Sequence, residues 1–309
     1  MIRILIPCFN EAFVIKQTYD KLTEIMQHDS YINGYTYELL FVDDGSRDQT
    51  LTIIQQLSEL DSRVKYISFS RNFGKESAMY AGLKASTEAE ALIIIDGDLQ
   101  HPPSLIPQMI VDFRNGEDQV VAKRDRTGER WLRKHLSKMY YLMINKMVDV
   151  TLEDGIGDFR LLSQRAVKEV VKLGEYNRFS KGLFAWIGFE PKVIEYQNVQ
   201  REEGESKWSF SSLLNYGIDG LISFNNRPLR IIIYLGLFSC LMSFLYIAFN
   251  LIYTLSYGVS TPGYFTTIFA ILFLGGVQLT SLGIIGEYIG RIYYEVKQRP
   301  LFIIHKTNL

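Results

Sequence analysis

The chain has 309 residues, of which 33 are basic and 34 acidic, so its formal net charge is -1. This length suits one large domain or two smaller ones, and the balanced charge excludes the strongly basic character of many nucleic-acid-binding domains. The four histidines show no zinc-ligand spacing, and Cys8 and Cys240 lie in segments that do not predict a disulfide. Asn10 and Glu11 interrupt the first apolar segment, so we expect no signal peptide.

Strand and helix patterns alternate over roughly the first 120 residues, which predicts an α/β fold with a parallel sheet. The predicted strands cover residues 2–6, 39–42, 64–69 and 91–95. The predicted helices cover residues 11–26, a segment capped by Ser46 or Asp48, and residues 75–86.

Each predicted strand ends in a polar cluster. The clusters are Pro7-Cys8-Phe9-Asn10-Glu11, Asp43-Asp44-Gly45-Ser46, Arg71-Asn72-Phe73-Gly74-Lys75 and Asp96-Gly97-Asp98. The carboxyl ends of parallel strands meet at one edge of the sheet, where α/β proteins bind ligands. The chain has neither G-x-G-x-x-G nor a P-loop motif, so we expect a metal ion rather than a glycine-rich loop to hold phosphate.

The fourth cluster suits a divalent metal. It follows a short apolar strand, and Pro102-Pro103 then open a predicted helix. In an extended backbone the alternating Asp96, Asp98 and Gln100 would project to the same side. Their oxygen atoms are hard ligands that suit Mg²⁺ or Mn²⁺. The alternative is an ordinary polar turn.

Residues 131–147 and 210–222 each show an apolar stripe at helical spacing. Basic residues cluster in the first half of the earlier segment. Each stripe either lies at a membrane surface, where it would guide an anionic lipid, or faces the protein core. The sequence leaves both alternatives open.

No charged residue occurs between Ile231 and Gly286. This run is more than twice the ~20 residues that cross a bilayer once, and its middle, residues 256–263, is rich in turn formers. We therefore predict two spans, residues 229–256 and 264–289, rather than a buried hairpin of a soluble core. The outer ends carry Arg227, Arg230, Arg291, Lys297 and Arg299. By the positive-inside rule, the N-terminal domain and both flanks are expected in the cytoplasm.

Six motifs occur in a fixed order, namely IPCFNE, VDDGSRDQT, RNFGKESA, DGDLQHPP, GIGDFRLLS and EGESKWSF. With FNNRPLR before the first span and GEYIGRIYYEV after the second, the whole chain resembles the family-2 inverting glycosyltransferases of GT-A fold. It is most similar to their polyprenyl-phosphate branch, which includes dolichol-phosphate mannose synthases and bactoprenol glucosyltransferases. The resemblance implies a GT-A catalytic domain over residues 1–208, an interfacial linker over 209–228, two transmembrane helices over 229–290 and a cytoplasmic tail over 291–309.

The resemblance also implies a donor site for a nucleotide sugar. Its nucleotide-binding residues would be Pro7, Phe9, Glu11, Asp43, Asp44, Lys75, Asp96 and Gly97. The metal ligands would be Asp96, Asp98 and Gln100, with Asp98 as the foremost candidate. The alternatives are that Asp43 and Asp44 only cap the next helix and that Lys75 is solvated.

On the acceptor side the resemblance implies Asp158. A phosphate monoester has a second pKa near 6 and hardly needs deprotonation, so Asp158 is expected to position groups or assist weakly rather than act as a full base. An ordinary salt bridge with Arg160 is the alternative. The expected ligands of the acceptor phosphate are Arg124, Arg126, Arg201, Ser206 and Lys207.

The resemblance, together with the two predicted spans, implies a membrane enzyme that transfers one sugar, with inversion, from a nucleotide sugar to polyprenyl phosphate. It also implies self-association. UDP-glucose and undecaprenyl phosphate are the first expectation, and UDP-N-acetylglucosamine or another nucleotide sugar is the alternative donor. A processive polysaccharide synthase is not favoured because the Q-x-x-R-W motif is missing. A non-catalytic, membrane-anchored nucleotide-binding protein is the alternative from another class.

Overall fold

A computed structural model of the chain describes residues 1–125, 145, 153, 155–197, 227–258 and 263–309. The chain divides into two units, Met1–Gly220 with Arg299–Leu309, and Leu221–Gln298. Apart from Asn145, the two predicted amphipathic segments lie outside the described residues.

The first unit is built on an eight-stranded sheet in the order β7-β5-β6-β4-β1-β2-β3-β8. The strands are β1 (Ile2–Cys8), β2 (Tyr37–Asp43), β3 (Val64–Phe69), β4 (Ala91–Ile94), β5 (Gln119–Asp125), β6 (Ile156–Ser163), β7 (Pro191–Gln197) and β8 (Ile304–Thr307). Strands β1, β2, β3 and β4 pair in parallel, which confirms the predicted mostly parallel α/β sheet.

Six α-helices are described in this unit. They are α1 (Ile15–Asn33), α2 (Thr50–Leu60), α3 (Lys75–Ala85), α4 (Ile106–Arg114), α5 (Gln164–Lys172) and α6 (Ser180–Trp186), with a 3-10 turn at Pro103–Leu105 before α4. The first helix begins four residues later than predicted because residues 12–14 form a turn before it. It ends at Gly34, whose positive φ of 65° allows a left-handed cap.

The central strands are buried on both faces. Alternate side chains of β1 enter two different apolar clusters, with Ile4 and Ile6 in one and Leu5 in the other. Two buried faces explain why these strands are continuous apolar runs in the sequence rather than alternating patterns.

Two strands run against the parallel direction. Strand β6 lies between β4 and β5 and is antiparallel to both, and β8 is antiparallel to β3. Strand β6 places the start of the GIGDFRLLS motif beside the end of β4. Strand β8, which follows the second unit in the sequence, completes the opposite edge of the sheet.

The second unit contains α7 (Arg227–Tyr257) and α8 (Tyr264–Lys297). Within the part of the chain that the structure describes, one segment, Ala270–Lys297, is long and apolar enough to cross a membrane by length and composition. A shorter apolar segment, Ile232–Tyr246, lies in α7. At about 1.5 Å per residue, either helix exceeds the ~30 Å of a hydrocarbon core.

The turn after β2 requires a glycine for two reasons. Gly45 has a φ of +67°, and a Cβ at this position would lie 2.3 Å from the backbone carbonyl carbon of Arg71. Gly34 has nearly the same φ, +65°, but no atom lies within 4 Å of its Cβ position. A comparison of alanine variants at the two positions therefore distinguishes the cost of backbone strain from the cost of the steric contact.

We expect Gly45→Ala to lower the thermal unfolding midpoint much more than Gly34→Ala. The Gly34 variant meets only the left-handed strain, a cost of about 1–2 kcal/mol. The Gly45 variant also forces the Arg71 backbone away from β2. Thermal unfolding of both variants in the same detergent checks this, and equal midpoints would contradict the steric role of the contact.

Candidate active site

The Asp96-Gly97-Asp98 motif forms a turn rather than the extended backbone expected from the sequence. Strand β4 ends at Ile94, and Leu99 adopts a positive φ of 55°. Gln100 folds back so that its backbone N–H donates to Oδ1 of Asp98 at 3.1 Å and its side-chain amide donates to Oδ2. Gln100 thus orients the exposed Asp98 carboxylate through hydrogen bonds, and the strand-like alternation is wrong.

Helix α1 holds this turn in place through one of its threonine side chains. Thr18 donates its hydroxyl hydrogen to the carbonyl of Gly97 at 2.7 Å. A Cβ on Gly97 would lie 2.5 Å from Oε2 of Glu11, so the carboxylate of Glu11 packs directly against the glycine. A larger residue at position 97 would displace the Glu11 carboxylate, so Glu11 and Gly97, both predicted at the donor site, lie in contact.

Lys75 joins two predicted site residues. Its Nζ lies 2.7 Å from Oδ1 of Asp96 and 2.7 Å from Oδ2 of Asp158. Lys75 is the first residue of α3, Asp96 follows β4, and Asp158 lies in β6. Three separate elements therefore bring one cation and two anions to the same point at the carboxyl edge of the parallel strands.

This contact sets the protonation states of the site. Burial raises the pKa of Asp158. The positive charges of Lys75 and Lys181 lower it by a larger amount, so the net shift of this pKa is downward. Burial alone lowers the pKa of Lys75, whereas Asp158 and Asp96 raise it well above its usual value overall. Asp158 is therefore an anion at neutral pH and a weak base.

Asp43 and Asp44 are buried and bind the protein backbone or neighbouring side chains. Asp43 accepts hydrogen bonds from the Ser46 N–H at 3.1 Å and the Ser68 hydroxyl at 2.8 Å. Asp44 accepts from the N–H groups of Phe73 and Gly74 at 2.7 and 2.9 Å. Burial raises the pKa of Asp44, and these backbone hydrogen bonds partly offset it. The pair ties the ends of β2 and β3 together.

The loop after β1 docks onto the loop after β2. The side-chain oxygen of Asn10 accepts the Arg47 N–H at 2.9 Å, and the Glu11 N–H donates to the Thr50 hydroxyl at 2.9 Å. Phe9, directly before Asn10 and Glu11, has a side chain that is 38% exposed, so its ring is accessible for stacking. Pro7 is buried within β1, so it supports this loop from inside.

His101 belongs to the site but was not predicted as a site residue. Its Nδ1 lies 2.7 Å from the Tyr196 hydroxyl and its Nε2 lies 3.8 Å from Oδ2 of Asp96. The ring also packs against Phe159, with centroids 5.5 Å apart. Burial lowers the pKa of His101, which the charge of Asp96 partly offsets. Its place within DGDLQHPP, five residues after Asp96, was the available signal.

Glu76 is a second residue that sequence reasoning missed. It accepts hydrogen bonds from the Ser180 N–H, at 3.1 Å, and from the Ser180 hydroxyl. Burial raises the pKa of Glu76 to about 7. Because Glu76 directly follows Lys75, it anchors the start of α3 to the start of α6.

The predicted acceptor-phosphate residues are only partly described. Arg124 lies partly buried in β5, and its backbone N–H donates to the Gly155 carbonyl at 3.0 Å. Arg126, Arg201, Ser206 and Lys207 lie outside the described residues. Arg160, the alternative partner of Asp158, donates to the Gly157 carbonyl at 2.8 Å and stacks over Phe184.

The donor set at the turn fits a divalent cation that binds together with a phosphate. Among residues 1–125, 155–197 and the other described segments, no group of three His, Cys, Asp or Glu side chains could hold a metal alone. Asp96 and Asp98 do supply two carboxylates, and Mg²⁺ is usually bound by one or two carboxylates with substrate phosphates and water. A divalent cation bound by these carboxylates would reduce their repulsion of an anionic diphosphate.

Two family comparisons match most of the chain. Residues 3–171 match the family described as Glycosyl transferase family 2. Residues 227–292 match the family described as GtrB C-terminal hairpin. The hairpin match and the apolar helix of the second unit together indicate membrane association.

Relatives that align with the whole chain also have names of glycosyltransferases. The chain is 53% identical over 309 residues to the "Putative glycosyltransferase CsbB" of Bacillus subtilis, covering 100% of this chain and 92% of that protein. It is 42% identical over 308 residues to the "SfII prophage-derived bactoprenol glucosyl transferase" of Shigella flexneri, covering 99% and 98%. It is 38% identical over 308 residues to the "Prophage bactoprenol glucosyl transferase homolog" of Escherichia coli, covering 99% of each.

We expect Glu76 to make the protein less stable as the pH rises from about 4.5 to about 7. The folded pKa of about 7 lies above the ordinary value of 4.5, so the folded state binds the extra proton in this window. Glu76→Gln should remove up to ~3 kcal/mol of this decline in unfolding free energy. Thermal unfolding midpoints of the wild type and of the variant between pH 4.5 and pH 7.5 check this difference in the decline.

Glu59→Gln is the matched control for this prediction. Glu59 is exposed near the end of α2, and we expect its variant to keep the wild-type pH dependence. An unchanged pH slope in the Glu76 variant would contradict the assignment of the titration to Glu76.

Proposed function

The chain belongs to glycosyl transferase family 2, and from this premise we propose that it transfers one sugar from a nucleotide sugar to polyprenyl phosphate. Family membership makes the chain a glycosyltransferase, and two relatives named bactoprenol glucosyl transferase or its homolog support the lipid acceptor. The same names favour UDP-glucose as donor and undecaprenyl phosphate as acceptor, with UDP-N-acetylglucosamine as the alternative donor.

The observation that carries the proposal is the Lys75 ammonium held by Asp96 and Asp158 beside the exposed Asp98. A divalent cation, when bound, would neutralise the donor diphosphate and stabilise it as the leaving group. Asp96 and Asp98 would hold that ion, and Gln100 would keep the Asp98 carboxylate oriented through its two hydrogen bonds.

The acceptor side needs an orienting group more than a base. A phosphate monoester is already largely ionised at neutral pH because its second pKa is near 6. One of its oxygens attacks the anomeric carbon from the face opposite the nucleoside diphosphate. The bond to the diphosphate then breaks with its electron pair, and the configuration inverts. Asp158 has a lowered pKa and pairs with Lys75, so in this proposal it fixes the Lys75 ammonium close to both phosphate groups.

We also propose that the protein spans the membrane twice, with the catalytic unit and the C-terminus in the cytoplasm. Strand β8 follows α8 in sequence yet pairs with β3 of the first unit. A bilayer cannot divide a sheet, so the chain between them crosses the membrane an even number of times. If α8 crosses, α7 must cross as well, and the basic residues at the outer ends favour the cytoplasm for both flanks.

A donor panel tests the proposed reaction. We expect purified protein with undecaprenyl phosphate and Mn²⁺ or Mg²⁺ to form a lipid-linked sugar from UDP-glucose in preference to UDP-N-acetylglucosamine. Asp98→Ala should lower transfer by about a hundredfold or more, because the charge that stabilises the leaving group is lost. A chelator should lower wild-type transfer in the same way.

Asp20→Ala is the control, because Asp20 is an exposed aspartate of α1 that belongs to none of the predicted sites. Metal-dependent transfer by the Asp98 variant at the wild-type rate would overturn its assignment. Formation of a water-soluble product alone would overturn the lipid acceptor.

Cysteine labelling tests the proposed topology. In a background with Cys8 and Cys240 replaced by alanine, we expect a membrane-impermeant maleimide to label Gly263→Cys on intact cells. His305→Cys should react only after permeabilisation, because it lies in β8 on the cytoplasmic sheet. Labelling of the His305 variant on intact cells would contradict the cytoplasmic placement, and labelling of both variants would contradict the two-span topology.

A further inference from the structure

The last residues of the chain are firmly bound to the sheet of the first unit. The Ser70 N–H donates to the Ile303 carbonyl at 3.0 Å. The Asn308 side chain accepts the Tyr66 N–H at 2.7 Å and donates to the Val64 carbonyl at 3.1 Å. Chain ends usually fray unless such contacts hold them, so this segment is a structural part of the sheet.

Phe302 anchors the segment at the end of β3. Its ring stacks on Phe69, with centroids 5.0 Å apart and planes 13° apart. It also meets Tyr80 of α3 edge-on at 6.5 Å. Phe69 is 2% exposed and in turn contacts Phe73 edge-on at 5.8 Å. The aromatic contacts therefore continue from the C-terminal segment into the loop between β3 and α3.

That loop ends at Lys75. Phe73 and Gly74 donate their N–H groups to Asp44, and the Phe73 carbonyl accepts the Ser77 hydroxyl at 3.1 Å. Lys75 follows and reaches Asp96 and Asp158 with a half-exposed side chain. The hydrogen bonds of Phe73 and Gly74 to Asp44 therefore fix the backbone directly before Lys75.

We propose that Phe302 is a positioning residue for the active site. Its ring holds Phe69 and, through it, Phe73, which keeps the Lys75 backbone in place between the two carboxylates. The functional consequence rests on the proposed function, because it assumes that Lys75 and Asp158 act in sugar transfer. A displacement of about 1 Å at a catalytic group can cost about a hundredfold in rate, so a smaller shift of Lys75 should still lower the rate by about tenfold.

Two ring variants and a matched control test the positioning role in the full-length protein in lipid nanodiscs. Phe302→Leu keeps apolar volume but removes the stacked ring, and Phe302→Tyr keeps the ring. His305→Ala is the control, because His305 is exposed in the same segment. The measurements are amide hydrogen exchange of the peptide that spans Phe73 and Gly74, and kcat and KM for the sugar donor.

For Phe302→Leu we expect exchange of this peptide to rise by about tenfold while β1 and β4 keep their protection. We expect kcat to fall by about tenfold with KM within about twofold, because alignment rather than donor binding is lost. Phe302→Tyr and His305→Ala should resemble the wild type.

Wild-type exchange of the Phe73 peptide in the leucine variant would overturn the proposal. An equal rise in exchange across the whole sheet would also overturn it, because that pattern indicates general destabilisation. The exchange measurement does not need sugar transfer. A wild-type protein that fails to form lipid-linked sugar would therefore refute the proposed reaction, while exchange would still decide the positioning role.

Discussion

The candidate site depends on one ammonium group between two carboxylates that the sheet brings face to face. Ile94 of β4 pairs with Arg160 of β6 in antiparallel register. Continued by two residues, this register puts Asp96 opposite Asp158, an arrangement of like charges that destabilises a sheet. Lys75 offsets the repulsion from the start of α3. The same group therefore stabilises the fold at this edge and, in the proposed reaction, contributes the charge that the phosphates meet.

The acidic residues at this edge divide into those that build the scaffold and those that remain accessible. Asp43 and Asp44 are buried, and each binds two hydrogen-bond donors from the protein. Asp98 is exposed and is oriented by Gln100. All three carboxylates accept hydrogen bonds on both oxygens, but Asp43 and Asp44 are buried, whereas Asp98 is exposed and its remaining lone pairs face solvent. This difference favours Asp98 over the earlier pair as the group that meets a donor.

The sequence predicts the four parallel strands β1, β2, β3 and β4, because each of them is a continuous apolar run that ends in polar residues. It could not predict the contact between Lys75 and Asp158, which depends on the insertion of β6 between β4 and β5. The prediction for Asp98 is wrong because the alternation of side chains assumes an extended backbone. In the structure the backbone turns there, and Gln100 folds back to donate hydrogen bonds to Asp98. His101 and Glu76 were missed because their roles arise from partners distant in sequence.

The return of the chain to the sheet makes the hairpin an insertion in the catalytic unit rather than an appendage at its end. Tyr66 and Asn308 are 242 residues apart in sequence and share a hydrogen bond. Contacts between such distant residues form late, because a long loop must close first. Strand β8 can therefore pair with β3 only after the hairpin has been synthesised. If the hairpin is inserted as it is made, the contact from Phe302 to the Lys75 loop forms only once the protein is in the membrane that holds its proposed acceptor.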